Sequence, residues 1–294
     1  MLFRIFSASK GFIGLSILLL LMSSCRKEII LFTVKEKQPY LDQLMYRDNE
    51  SQIQIDYKYS SDNILSGYTK VIQIVQDKGS TEIALFKRDK SGLITQINKV
   101  LKDTILDIPT FANSDLRFYY NEKKQLRYRV SSINILVGTD AVTAMDSIIY
   151  TYDNKISKFE QYVALLPDGY QLVGSGTITY DANGNKSLVK VYEYVNDVEE
   201  LTNEINLKYD QNPKSLYSND DALALDALNA FDLIDVTSTF NITGYTLVDP
   251  LDASNNEAYD ISYAYATDHK KPLTAKVKLN SVEIGSLKFT YSVR

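Results

Sequence analysis

The chain holds few side chains able to do covalent chemistry. One cysteine, Cys25, and one histidine, His269, stand among 294 residues. A lone thiol makes no internal disulfide, no CxxC redox pair and no cysteine-based zinc site. A lone imidazole allows no His-clustered metal centre, and His269 sits in the polar turn Asp268-His269-Lys270-Lys271-Pro272. Asp181, Asn183 and Asn185 line up oxygens as a calcium loop does. An EF-hand, however, wants Gly sixth and Glu twelfth, and here Gly184 is fourth and Tyr192 twelfth, so the segment reads as a hairpin turn. No GxSxG, HExxH, P-loop or GxGxxG constellation occurs. No metal or cofactor is expected. Carboxylates are plentiful, 37 Asp and Glu in all, and an acidic pair could hydrolyse a glycoside if the fold set the two groups at the right separation. Tyrosine is the other conspicuous resource, 22 against 11 Phe and no Trp. Aromatic faces suit sugar rings and a phenol adds a hydrogen bond. Tyr162, Tyr170, Tyr192 and Tyr217 are the ligand-binding candidates, because they lie outside the repeat described below.

Cys25 acquires a meaning from what precedes it. Arg4 and Lys10 are followed by twelve mostly apolar residues, Gly11 to Met22. As a helix these span roughly 18 Å, short of a bilayer core of about 30 Å, so they read as a signal peptide and not as a membrane helix. The leader ends Leu21-Met22-Ser23-Ser24-Cys25, which resembles the lipobox of bacterial lipoproteins. The resemblance implies cleavage after residue 24, diacylglycerol on the Cys25 thiol and a further acyl chain such as palmitate on the new amino terminus. Several acyl chains anchor far more firmly than the marginal single one. Losing Arg4 and Lys10 takes the formal charge from −5 to −7. An acidic body without a basic stripe argues against nucleic acid as a partner. Arg26-Lys27-Glu28 resembles the export signal of Bacteroidota surface lipoproteins, which implies the outer membrane and display at the cell surface.

From about Ile53 onward the chain alternates apolar and polar residues with period two. Ile53, Ile55, Tyr57 and Tyr59 alternate with Gln54, Asp56 and Lys58, and Leu287, Phe289, Tyr291 and Val293 with Lys288, Thr290 and Ser292. Period two places each set on one face of a strand. Clusters such as Asp89-Lys90-Ser91-Gly92 and Asp181-Ala182-Asn183-Gly184 reverse the chain between runs. Strands end in a recurring signature: Tyr57-x-Tyr59, Phe118-x-Tyr120-Asn121, Tyr150-x-Tyr152-Asp153, Ile178-x-Tyr180-Asp181, Leu207-x-Tyr209-Asp210 and Tyr263-x-Tyr265. Ala84-x-Phe86 and Phe289-x-Tyr291 read as weaker copies. One unit of roughly 30 residues holds one hairpin. The repeated tyrosines read as a ladder of core residues, each ring buried and each hydroxyl at a strand end.

Tyr180-Asp181-Ala182-Asn183-Gly184 resembles the YD repeat of RHS-type shell proteins. The order of YD hairpins, Asn212-Pro213, a helix, Asn241-Ile242-Thr243 and a closing Tyr-rich hairpin is similar to a Bacteroidota lipoprotein domain of unknown function. That family contributes no catalytic or binding residues. The helix is expected near residues 220–232, opened by Ser218-Asn219-Asp220-Asp221 and with Leu223, Ala227, Phe231 and Ile234 on one face.

These readings predict an all-β protein with a signal peptide over 1–24, the lipidated Cys25 and a linker over 25–50, and a hairpin domain over 51–294. The domain is expected as an antiparallel meander of about fourteen strands, curled into a roll or open barrel with its apolar column inside. The expected role is non-enzymatic, a lipid-anchored display of the roll for contact with a glycan, a peptide or an envelope protein. A glycan-processing hydrolase with an acidic pair inside the roll is the alternative.

Overall fold

The structure is a computed structural model that describes residues 39–74, 78–103, 110–137, 140–165, 169–195, 198–213, 240–268 and 270–294. Cys25, Tyr217, His269 and the helix expected near 220–232 lie outside the described residues.

Sixteen strands are described: β1 (Pro39–Arg47), β2 (Ser51–Tyr59), β3 (Leu65–Ile74), β4 (Lys78–Arg88), β5 (Ile94–Asp103), β6 (Thr110–Tyr120), β7 (Leu126–Val137), β8 (Asp140–Asp153), β9 (Lys155–Leu165), β10 (Gly169–Tyr180), β11 (Lys186–Val195), β12 (Val198–Pro213), β13 (Phe240–Val248), β14 (Glu257–Tyr265), β15 (Pro272–Leu279) and β16 (Val282–Val293). Each pairs antiparallel with its sequence neighbours, and β1 pairs with β16, so the sheet is a closed barrel. The expected meander is present. The expected open roll is corrected to a closed barrel, and about fourteen strands to sixteen. Closure leaves no strand edge among the described residues, which removes the template for edge-to-edge aggregation. The closing strand is β1, which lies within the stretch assigned to the linker. A register shift between Leu41 and Gln43 turns both Leu41 and Leu44 to the buried side, so the segment lacks the two-residue period that marks other strands.

A single-layer ring has one face that its own far wall can cover. The buried residues of β1 to β9 and β13 to β16 fall on that face: Leu41, Leu44, Ile55, Tyr57, Ala84, Ile97, Leu116, Phe118, Tyr150, Ile261, Val277, Leu287 and Phe289 belong to one cluster. Their strand neighbours face water. Lys276, Lys278 and Lys288 flank the buried Val277 and Leu287, and Lys58 flanks Tyr57. Two glycines let rings lie flat on the inner wall: a Cβ on Gly176 would strike the Phe159 ring, and one on Gly285 the Tyr46 ring.

The repeat is visible in the hydrogen bonds. Tyr120 donates its hydroxyl to the Ile94 carbonyl (2.7 Å), Tyr152 to Leu126 (2.8 Å), Tyr180 to Ile156 (2.9 Å), Tyr59 to Leu41 (2.8 Å) and Tyr263 to Ile242 (2.9 Å). In each case a phenol near the end of one strand reaches the start of the preceding one, so consecutive hairpins are stitched together. A register shift accompanies most of these ends, as at Tyr119/Tyr120, Thr151/Tyr152 and Thr179/Tyr180. The shift between Lys87 and Arg88 identifies the β4 copy. Arg88 takes the tyrosine position and donates through Nη2 to the Leu65 carbonyl (3.0 Å). The repeat there is therefore Phe86-x-Arg88-Asp89, not Ala84-x-Phe86.

Turns at this end share one geometry. The fourth residue of each donates its amide to the first, as Asn63 to Ser60, Gly92 to Asp89, Lys124 to Asn121 and Gly184 to Asp181. Its φ is positive in all four. Asx side chains fix the loop: the Asp89 carboxylate accepts from the amides of Ser91 and Leu93, and the Asn121 carbonyl from those of Lys123 and Gln125.

Candidate functional site

Charged groups enter the barrel among the apolar ones, including Lys70, Glu82, Lys99, Arg129 and Asp146. Arg129 is buried and pairs with Asp146 at 3.1 Å. Tyr68 donates to Glu82 at 2.5 Å. Lys70 pairs across strands with Glu82; burial lowers its pKa, partly offset by the Glu82 carboxylate. Each inward carboxylate described here is thus held by a cation or a phenol. Such buried pairs are costly to break and give no sign of a free acid.

The outer wall of β9 to β12 gathers polar groups of a different kind. Glu160 pairs with Gly-flanked Ser175 across β9 and β10, and Ser175 with Tyr192 across β10 and β11. Lys158 donates to Glu160 Oε1 (2.9 Å) and Tyr162 to Glu160 Oε2 (3.0 Å). Ser175 donates to Glu199 Oε1 (2.6 Å), which also accepts from Tyr194 (3.0 Å). The hydrogen bonds from Lys158 and Tyr162 lower the pKa of Glu160, and those from Ser175 and Tyr194 lower that of Glu199. Both carboxylates are therefore ionised at neutral pH. A glycosidase acid needs its pKa raised, so these two do not form a catalytic pair. They form a patch of acceptors and phenols suited to a hydroxyl-rich ligand.

Of the sequence candidates, Tyr162 and Tyr192 belong to this patch. Tyr170 lies further along β10, opposite Ala164 and more than half exposed. Glu160, Ser175, Tyr194 and Glu199 were not singled out from sequence. Their convergence depends on the pairing of four strands, and no local spacing encodes it. Among the described residues no group of three or more His, Cys, Asp or Glu could hold a metal ion.

The outer face as a whole carries charge. Lys58, Lys158, Lys190, Lys208, Lys276 and Lys288 are outward-facing, as are Asp56, Glu204 and Asp260. The wall of β4 to β8 is more apolar, with Ile83, Val100, Phe111 and Leu136 exposed. Lys87, Lys102, Asp115 and Arg117 interrupt it.

No family model matches the chain, and no curated protein matches it in sequence. Among solved structures it is similar to a porin-like protein from Bacteroides vulgatus, with a TM-score of 0.51 and 13% identity, over 87% of this chain and 99% of that one. A porin-like protein from Bacteroides uniformis scores 0.47 at 13% identity, over 86% of this chain and 98% of that one. At this identity the first likeness shows a shared all-β barrel fold.

Proposed function

We propose that this chain is a non-enzymatic lipoprotein of the outer membrane, anchored through Cys25, whose barrel stands in water beside the bilayer and presents its β9–β12 patch to a glycan. The observation that carries the reading is the sidedness of the barrel. A membrane-spanning barrel is apolar outside and polar within, and each Lys or Arg at mid-bilayer on its lipid face costs about 2–4 kcal/mol. On β15 and β16 the pattern is inverted, with Val277 and Leu287 buried inside and Lys276 and Lys288 facing out. Lys58, Lys158, Lys190 and Lys208 also face out, while β4 to β7 expose Ile83, Val100, Phe111 and Leu136. A water-standing barrel needs a separate anchor, and the lipobox-like Leu21-Met22-Ser23-Ser24-Cys25 supplies one. The Bacteroides neighbour is a porin-like protein, which agrees with an envelope setting. The test is fractionation of cells producing the native chain and Cys25→Ala. The native amino-terminal peptide should carry acyl mass and sediment with membranes. Cys25→Ala should yield a folded barrel in the soluble fraction after a high-salt wash. A Cys25→Ala barrel that stays in the membrane until detergent is added would overturn the reading.

A further inference from the structure

The two rims of the barrel differ in charge. Pro39 pairs with Val293, so the chain enters the barrel at the rim where β2, β4, β6, β10 and β14 end in their turns. Lys90, Lys123, Lys124 and Lys270 project from those turns, all exposed and with no ion pair among the described residues. Arg127 is exposed beside them. The opposite rim carries Asp48, Glu50, Asp140, Glu200, Asp249 and Asp252 against Arg47, Lys102 and Lys278. Acids are present on the entry rim too: Asp62, Asp153 and Asp268 are exposed, and Asp89 and Asp181 are folded back onto turn amides, as Asp48, Asp249 and Asp252 are on the opposite rim.

The tip between β6 and β7 is the most basic point. Lys123, Lys124 and Arg127 surround a single acid, Glu122. Lys124 holds a left-handed φ of 61° at the position that Gly92 and Gly184 fill in sister turns, so a lysine stands there despite a conformational penalty. Next to the tip, Tyr119 and Tyr128 stack on the outer wall with centroids 4.4 Å apart. An exposed Tyr119 on a half-buried Tyr128 beside basic residues matches the amphipathic belt at a membrane interface. The connecting sequence adds to the same sign: residues 26–38 hold Arg26, Lys27, Lys35 and Lys37 against Glu28 and Glu36.

We infer that the turn-bearing rim, led by the β6–β7 tip, is a docking surface for a membrane rich in anionic phosphate headgroups. Cys25 precedes Pro39 by fourteen residues, at most roughly 50 Å of extended chain, so a lipid on Cys25 keeps this rim within reach of the bilayer. Docking orients the acidic rim away from the membrane. The inference rests on the anchored, water-standing reading above, and its test removes the anchor so that the two can fail separately.

The experiment uses the chain from residue 25 onward with Cys25→Ser and measures sedimentation with vesicles. One set is phosphatidylcholine alone, the other contains phosphatidylglycerol as well. Binding should be at least tenfold stronger to the anionic vesicles and should fade with added salt. Lys123→Glu/Lys124→Glu/Arg127→Glu should lose at least tenfold, and the milder Lys123→Gln/Lys124→Gln a smaller part. Glu50→Lys/Glu200→Lys, on the far rim, should leave binding to anionic vesicles within twofold. Equal binding to both vesicle types, unchanged binding by both tip variants, or a far-rim effect as large as the tip effect would overturn the inference. Acylation of Cys25, read by mass, is unaffected by any of these results.

Discussion

A phenol near the end of a strand does two things in this barrel: its ring fills the interior and its hydroxyl reaches the backbone of the preceding strand. Removing only the hydroxyl isolates the second role. Tyr120→Phe should therefore cost about 1 kcal/mol, the net worth of one such hydrogen bond, read from denaturant unfolding. A loss below measurement error would mean that the Ile94 bond contributes nothing. The buried phenols also set an alkaline limit. Burial and the neighbouring Asp48 carboxylate push Tyr46 up to about 12, and burial raises Tyr57, Tyr263 and Tyr291 as well. Below pH 10 these groups are protonated in both folded and unfolded chains, so their contribution is complete. As pH rises from 10 toward 12 the unfolded chain sheds protons that the native one keeps, and stability falls. Tyrosinate absorbance from the buried set should appear together with loss of the β circular-dichroism signal. Full ionisation in an intact barrel would contradict this burial. At this scale the tyrosine ladder was legible, because one residue type recurs at one spacing. Arg88 was not legible, because a guanidinium there does a phenol's work with different chemistry.

At the scale of strand and turn, the alternation of Ile53 to Tyr59 and of Leu287 to Val293 was readable because only one face of each strand is buried. β1 escaped because a bulge after Leu41 brings two leucines inward three residues apart. The β9–β12 patch escaped for another reason. Glu160, Ser175, Tyr194 and Glu199 meet only once four strands are in register, and outward polar residues look alike in sequence. The turns offer a direct test of their shared geometry. Gly92 has φ +89°, and a Cβ added there would meet nothing within 4 Å, so Gly92→Ala carries a backbone penalty alone, about 1–2 kcal/mol. Lys124 occupies the corresponding position at φ 61°, so Lys124→Gly should leave stability unchanged or raise it by up to about 1 kcal/mol. Thermal or urea unfolding reads both. A destabilised Lys124→Gly would mean that the lysine side chain supports the fold.

For the whole molecule, closure and sidedness decide the functional reading. The seam between β1 and β16 is fastened by Arg294, which pairs with Asp42 at 2.7 Å and lies over the Tyr59 ring at 4.7 Å. Once closed, the barrel buries one apolar cluster on its inner face and turns Lys276 and Lys288 outward, and the proposed reading of a barrel in water held by a lipid on Cys25 rests on that sidedness. The most direct test replaces Cys25 with Ala and introduces single cysteines on adjoining strands: Lys276→Cys and Lys288→Cys on the outer face, Ala275→Cys and Leu287→Cys on the inner one. With a charged, water-soluble maleimide and no detergent, the outer pair should label fully under native conditions and the inner pair only after unfolding. Rapid labelling of the inner pair with protection of the outer pair by lipid or detergent is the pattern of a membrane-spanning pore, and it would contradict the account.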